Sequence, residues 1–119
     1  MYHALSASLV ENQQGFALIW QNGLTGTECL SKEERVRFFA FTSSLLRFFE
    51  SARIQWLRHQ LDREHWRAIE AQAHYLAAQP GVREFWKERQ HWHCPQFQSW
   101  FNAQIEAARV DDSKTAPVP

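Results

Sequence analysis

With 119 residues, the chain is long enough to bury one hydrophobic core unaided and is expected to form a single domain. Its 13 basic and 13 acidic residues give a formal charge of zero, which argues against a dedicated nucleic-acid binder and against electrostatic docking to an anionic membrane. The longest purely apolar run extends only from Phe16 to Trp20, so the sequence predicts no membrane span.

The two cysteines predict a reducing compartment. Cys29 and Cys94 lie far apart and form no Cys-x-x-Cys pattern, so a disulfide framework is not expected. The start of the chain, Met1-Tyr2-His3, lacks the basic and apolar segments of a signal peptide. We therefore expect a cytoplasmic protein.

A first helix is predicted over residues 3–22. Its apolar residues recur roughly on one side: Leu5, Leu9, Phe16, Ile19 and Trp20. Asn22-Gly23 is typical of a helix C-terminus, because Gly readily adopts the left-handed conformation. The loop 23–30 contains two glycines but no following Gly-Lys-Ser or Gly-Lys-Thr, so it is not predicted to bind nucleotide phosphates.

The second helix, about 32–58, is predicted to be the long central element. It begins at a capping box, Ser31-Lys32-Glu33-Glu34. One row of apolar residues at steps of three and four is expected to be its buried face: Phe38, Phe41, Leu45, Phe48, Ala52 and Trp56. Glu–Arg pairs are expected along its surface, at Glu33/Arg37 and Glu50/Arg53. Such an aromatic row is usually core rather than a ligand pocket, and no cofactor is predicted.

Three further helices follow. Asp62 is a plausible N-cap for a third helix, but no Gly or Pro separates it from the second, so one bent helix remains an alternative. Pro80-Gly81 and Cys94-Pro95 predict breaks before a short fourth helix and a fifth helix. We expect an all-α, compact and mainly antiparallel bundle of four to five helices over residues 1–110. The polar residues 111–119 predict a disordered tail.

Several short motifs occur in a recognisable order along the chain. They are Leu18-Ile19-Trp20-x-x-Gly23-Leu24, Leu30-Ser31-x-Glu33-Glu34-Arg35-x-Arg37-Phe38, Phe49-Glu50, Leu61-Asp62-x-x-x-Trp66, Pro80-Gly81-Val82-Arg83-x-Phe85-Trp86 and Phe97. This order resembles a family of uncharacterised, largely proteobacterial, all-helical domains that often follow N-terminal transmembrane helices and face the cytoplasm. The resemblance covers roughly residues 9–107. It implies a helical fold and a possible anchor upstream, at the cytoplasmic face of the inner membrane, but no activity. Relatives often carry a Gly just before the Leu-Asp pair, where this chain has His59-Gln60.

One segment offers metal-type side chains. His91, His93 and Cys94 lie within four residues, but helix-borne zinc ligands are usually spaced i, i+4, and a second ligand pair is missing. His91 and His93 would diverge on a helix. The simpler interpretation is a helix end, where a charged His favours the dipole. We therefore predict no metal, with these three residues as the alternative ligands.

A second segment resembles a nuclease signature. Arg58, His59 and His65 fit a permissive Arg-x(4–6)-His pattern that is similar to the HEPN ribonuclease superfamily. That resemblance implies a metal-independent RNase site assembled from two protomers, with His65 as general acid or base and Arg58 holding the scissile phosphate. The alternative is that these residues coat a solvated helix junction.

The sequence favours a binding protein over an enzyme. No Gly-x-Ser-x-Gly elbow is present, and Glu84 and Glu88 are interleaved with basic residues in a way typical of an exposed face. Six Trp exceed what a small core needs, so some are expected at an interface. We predict a non-catalytic interaction or self-association domain with a homo-oligomeric or protein partner. A homodimeric HEPN-like ribonuclease is the alternative.

Overall fold

A computed structural model of the chain describes residues 15–115, with the side chains of residues 15–112. Within these residues the fold is all-α, with five helices and no strand. The helices are α1 (residues 15–25), α2 (Lys32–Leu57), α3 (Arg63–Ala77), α4 (Pro80–Arg89) and α5 (Pro95–Thr115). This confirms the predicted helical bundle and its long α2. Leu5 and Leu9 of the predicted first helix lie outside the described residues, as do residues 116–119 of the predicted tail.

The predicted helix starts are confirmed at two caps. The Ser31 hydroxyl accepts the Glu34 N–H at 3.2 Å, while the Glu34 carboxylate accepts the Ser31 N–H at 2.9 Å. Asp62 Oδ1 accepts the His65 N–H at 2.8 Å at the start of α3. Each cap satisfies amides that the helix itself leaves unpaired, so these short polar motifs determine where α2 and α3 begin.

α2 and α3 are two helices rather than one bent helix. His59 adopts a φ of 60°, and its N–H donates to the Trp56 carbonyl at 3.0 Å. The Gln60 N–H reaches back to the Gln55 carbonyl at 2.8 Å. This pair of bonds is a Schellman motif, which normally has Gly at the left-handed position. His59 occupies that position here, so α2 ends without the glycine that would have predicted this helix end from the sequence.

The buried face of α2 differs from the predicted row. Phe38 and Ala52 are buried as expected, but Phe41 and Phe48 are 39% and 52% exposed. The true core row is rotated around the helix and comprises Phe38, Phe39, Thr42, Leu46, Phe49 and Ala52. The rotation follows from packing, because α4 meets this side of α2, as the edge-on contact of Phe39 with Phe85 at 5.2 Å shows.

α1 does not stop at Gly23, as predicted, but continues to residue 25. Gly23 instead allows three elements to approach closely. A Cβ at Gly23 would overlap the ring of Phe38 on α2, and a Cβ at Gly81 on α4 would overlap the Gly23 carbonyl. The turn after α1 is formed at Gly26, whose φ of 148° favours glycine.

α5 extends past the predicted domain boundary at residue 110. The helix runs to Thr115, so residues 111–115 are helical rather than tail. Asp111 contacts His74 on α3 at 3.2 Å, and Asp112 lies 3.7 Å from Arg83 on α4. These polar residues therefore hold the end of α5 against the bundle by charge rather than by apolar periodicity, which is why the pattern missed them.

Candidate functional site

The α2 residues Phe41, Leu45 and Phe48, here called the open row, border a groove along the α2–α3 hairpin, here called the hairpin groove. It contains two hollows of about 210 and 200 Å³. The α2 wall is formed by Leu45, Phe48, Phe49, Ser51, Ala52 and Gln55, and the opposite wall by Leu61, His65, Ile69, Gln72, Tyr75 and Leu76. Phe41 continues the row toward α1, where it contacts Phe16 and Trp20, each at 5.0 Å.

Two properties distinguish the hairpin groove from the rest of the surface. No Asp, Glu, Lys or Arg lines either hollow. Two aromatic side chains project from its walls, Phe48 at 52% exposure and Tyr75 at 59%. The groove is therefore free of carboxylate, Lys and Arg side chains in both hollows and is uneven, with projecting rings beside hollows.

A second cavity lies on another side of α2, between α2 and α4, and is here called the Arg35–Arg89 pocket. Its volume is about 420 Å³. Its lining comprises Arg35, Val36, Phe39, Ala40, Ser43, Phe85, Arg89 and Trp92. The Arg35 guanidinium lies 4.3 Å from the Phe39 ring centre, and that of Arg89 lies 4.7 Å from the Trp92 ring centre. The pocket thus combines an apolar floor with two stacked cations at its mouth.

The residues of the predicted nuclease signature lie at the α2–α3 junction. Arg58, His59 and His65 are all exposed. Arg58 is the C-cap of α2, and His59 is the left-handed residue that follows it. His65 donates its backbone N–H to the Asp62 cap, and its ring lies 4.0 Å from the same carboxylate. Each residue therefore has a local role in ending or starting a helix.

The three predicted metal-type residues do not converge. His91 and Cys94 are exposed, whereas His93 is buried between the rings of Trp86 and Phe97, at 5.4 and 5.1 Å. Among the described residues, no group of three or more His, Cys, Asp or Glu side chains is placed to hold a metal ion. Because His93 turns inward, the segment anchors the end of α4 to the core.

The buried cluster around Glu50 was not predicted from the sequence, where helical spacing paired Glu50 with Arg53. The Glu50 carboxylate instead accepts from Arg47 at 2.8 Å and from the Cys94 N–H at 2.9 Å, and lies 3.4 Å from His93 Nδ1. Burial raises the pKa of Glu50, but these hydrogen bonds lower it by more, so its net pKa is below the usual value. A carboxylate thus caps the start of α5 from another helix.

The histidine of this cluster is held neutral. Burial lowers the pKa of His93, and the nearby Glu50 carboxylate offsets only part of that effect. Glu50 and His93 are 7% and 4% exposed, beside the α4–α5 turn. Their arrangement joins α2 to the start of α5.

Arg53 forms an aromatic cluster instead of the predicted pair with Glu50. Its guanidinium lies over the rings of Trp100 and Trp66, at 4.9 and 5.8 Å. Trp66 in turn stacks on Trp56, with ring centres 5.9 Å apart and planes 8° apart. Burial lowers the pKa of Arg53, and Glu70 counters part of the shift. Three of the six Trp, Trp56, Trp66 and Trp100, therefore join α2, α3 and α5.

Comparisons of the chain with known protein families, curated proteins and solved structures found no match. The resemblance to the bacterial helical domains therefore stays a prediction from the sequence. No helix of the described residues is long and apolar enough to cross a membrane. The function must accordingly be argued from the hairpin groove and the Arg35–Arg89 pocket.

Proposed function

We propose that this chain is a non-catalytic self-association domain, and that a second copy binds in the hairpin groove. The observation that carries the proposal is the open row Phe41, Leu45 and Phe48, which has the spacing of a core row but is only partly covered by the described residues. Phe41 contacts α1 yet is 39% exposed, and Phe48 is 52% exposed. From Phe41 to Phe48 the row extends about 10 Å along the helix, and the lining of the groove continues to Gln55. Exposed apolar surfaces of this extent commonly mark protein interfaces.

The shape of the groove supports a second copy as the partner. In a two-fold interface the same surface occupies both sides, so it must be complementary to itself. Each groove offers projecting Phe48 and Tyr75 rings together with adjoining hollows of about 200 Å³. A ring of one protomer can therefore enter a hollow of the other, and the reverse contact follows by symmetry.

The charge of the groove supports the same partner. A charged lining would place like charges opposite each other in a symmetric dimer, which costs affinity. The absence of Asp, Glu, Lys and Arg from both hollows removes that cost. The neutral Ser51, Gln55 and Gln72 leave polar groups at the rim, as in other protein interfaces.

We place this activity in the cytoplasm. Cys29 and Cys94 are both free and exposed. Exposed free thiols are typical of proteins kept in a reducing compartment, since an oxidising one would promote disulfides between molecules.

Sedimentation velocity over a range of protein concentrations tests the proposal. The wild-type chain of 14.1 kDa should sediment as a dimer at micromolar concentration. Phe48→Glu should give a monomer, because each interface would then bury unpaired charge. Val110→Glu is the matched control, since Val110 has the same 52% exposure but lies on α5, outside the groove. The control should remain dimeric.

Two results would contradict self-association through this surface. The first is a wild-type protein that remains monomeric at all concentrations. The second is a dimer that Phe48→Glu leaves intact or that both variants disrupt equally. Circular dichroism of each variant shows whether the monomer is folded, and Tyr75→Glu provides an independent charge on the opposite wall.

A further inference from the structure

We propose that the Arg35–Arg89 pocket binds a small aromatic carboxylate. This inference does not depend on self-association, because the pocket faces α4 while the hairpin groove faces α3. Its basis is the combination of an apolar cavity of about 420 Å³ with a guanidinium that has no anionic partner among the described residues.

Arg89 is the uncompensated charge. Within the part of the chain that the structure describes, its guanidinium makes no salt bridge and lies over the rings of Trp92 and Phe39, at 4.7 and 6.0 Å. It is half-buried at the mouth of the pocket. A partly desolvated Arg presents a fork of donors that matches a carboxylate, so an anion is the ligand it favours.

The second cation is partly neutralised already. Arg35 pairs with Glu88 at 2.7 Å, and this pair is well exposed to solvent. No Asp or Glu lines the pocket itself. By contrast, the wider depression of about 540 Å³ between α4 and α5 has Glu84 and Glu106 beside its basic residues. Of these two cavities, only the Arg35–Arg89 pocket therefore combines basic residues with a lining free of carboxylates.

The apolar walls of the pocket favour a ligand that carries an aromatic ring beside its carboxylate. Phe39 and Phe85 are buried at the floor, while Trp92 is 51% exposed at the rim. A flat ring can stack on Trp92 and cover this apolar surface while its carboxylate meets Arg89. The lining offers few uncharged polar groups, and Ser43 carries its one hydroxyl. A sugar or a nucleotide would therefore find few hydrogen-bond donors or acceptors in this pocket.

NMR titration of ¹⁵N-labelled protein tests this assignment. Six side-chain indole signals are expected, and Trp92→Phe identifies the one from Trp92. Indole-3-acetate should shift the Trp92 signal and the Arg89 Nε–H signal in a saturable way. Indole-3-acetamide has the same ring and shape without the charge and should bind about tenfold more weakly.

Three variants determine whether the pocket is responsible. Arg89→Gln should weaken indole-3-acetate by about tenfold and leave indole-3-acetamide nearly unchanged, since only the charged contact is lost. Ala40→Phe should block both ligands by filling the cavity without removing a charge. Arg37→Gln is the matched control, because Arg37 lies on the same helix, pairs with Glu33 and lies outside the pocket.

The proposal fails if the acetate and the acetamide bind equally, if shifts spread over all six indoles, or if Arg89→Gln has no effect. Absence of saturable shifts with indole-3-acetate would also overturn it. The amide spectrum of each variant reports folding. A variant with a non-native spectrum is replaced by Arg89→Lys, which keeps the charge without the fork and should weaken binding several-fold.

Discussion

Two apolar rows run along α2, and they differ in how deeply the rest of the fold buries them. The covered row includes Leu46 and Phe49, which are almost completely buried, whereas the open row includes Phe41 and Phe48, which are 39% and 52% exposed. Both rows have helical spacing and the same residue types. What separates them is the rest of the fold, because α4 and the start of α5 pack on the covered row, whereas α1 and α3 cover the open row only in part. An amphipathic pattern thus identifies a helix more securely than it identifies the buried face.

The adjacent residues Phe49 and Phe48 provide the strongest test of this difference. Phe49→Ala should lower the free energy of unfolding by about 3–5 kcal/mol, because it leaves a cavity in the core. Phe48→Ala should cost about 1 kcal/mol or less, since its ring is half in solvent. Urea denaturation measures both, at a concentration where sedimentation shows monomers. Equal losses at the two positions would mean that α2 is rotated away from the orientation that buries Phe49.

A second prediction concerns the acid dependence of the covered side. Lowering the pH should reduce stability in two steps, because His93 and Glu50 both have folded-state pKa values below their ordinary values of 6.5 and 4.5. The unfolded chain therefore takes up protons first in each case. The loss begins below about pH 6.5 from His93 and deepens below about pH 4.5 from Glu50.

The variant Glu50→Gln separates these contributions. It should cost about 1–3 kcal/mol near neutral pH, because the bonds from Arg47 and Cys94 lose their charged acceptor. Its stability should also fall less steeply than that of the wild type below about pH 4.5. Glu33→Gln is the control, since Glu33 is exposed on α2 and pairs only with Arg37. Thermal unfolding from pH 3 to 8 is the measurement, and parallel curves for wild type and Glu50→Gln would refute the assignment.

The smallest expected change in the free energy of unfolding is at His59, just after the end of α2. His59→Gly should stabilise the chain by about 1 kcal/mol, because glycine adopts the φ of 60° found there without steric cost. His59→Ala should give little change, since alanine meets the same steric conflict as histidine. Urea denaturation distinguishes the two. A loss of stability in His59→Gly would show that the His59 side chain contributes a contact of its own.

Local signals predicted the helix starts well. Ser31, Asp62 and Pro95 each act within one turn of the chain, so the sequence alone contains the groups that form the cap or the first turn. The α2–α3 break was ambiguous in the sequence, because His59 takes a conformation that sequence patterns associate with Gly. The rotation of α2 was missed for a different reason: it depends on contacts with residues such as Phe85, which lie far away in the chain.

The residues that form the candidate sites were harder to predict from the sequence than the fold was. His91, His93 and Cys94 are close in sequence, but the turn directs His93 inward and leaves the other two exposed. The Arg35–Arg89 pocket brings together residues from two helices that no short motif connects. Glu50 was a detectable signal, because a carboxylate on the core side of a helix needs a buried partner. Two of its partners, the Cys94 amide and His93, come from the turn between α4 and α5.

The contact between Gly23 and Gly81 has a consequence for recognising this fold in other sequences. A single added methyl group at Gly81 overlaps the Gly23 backbone, and one at Gly23 overlaps the Phe38 ring. A related chain with a larger residue at the position of Gly81 should therefore hold its first helix elsewhere, whereas one with a larger residue at the position of Gly23 should carry a smaller side chain at the position of Phe38. These three positions, compared together in a distant sequence, would therefore tell whether its first helix docks in the same way.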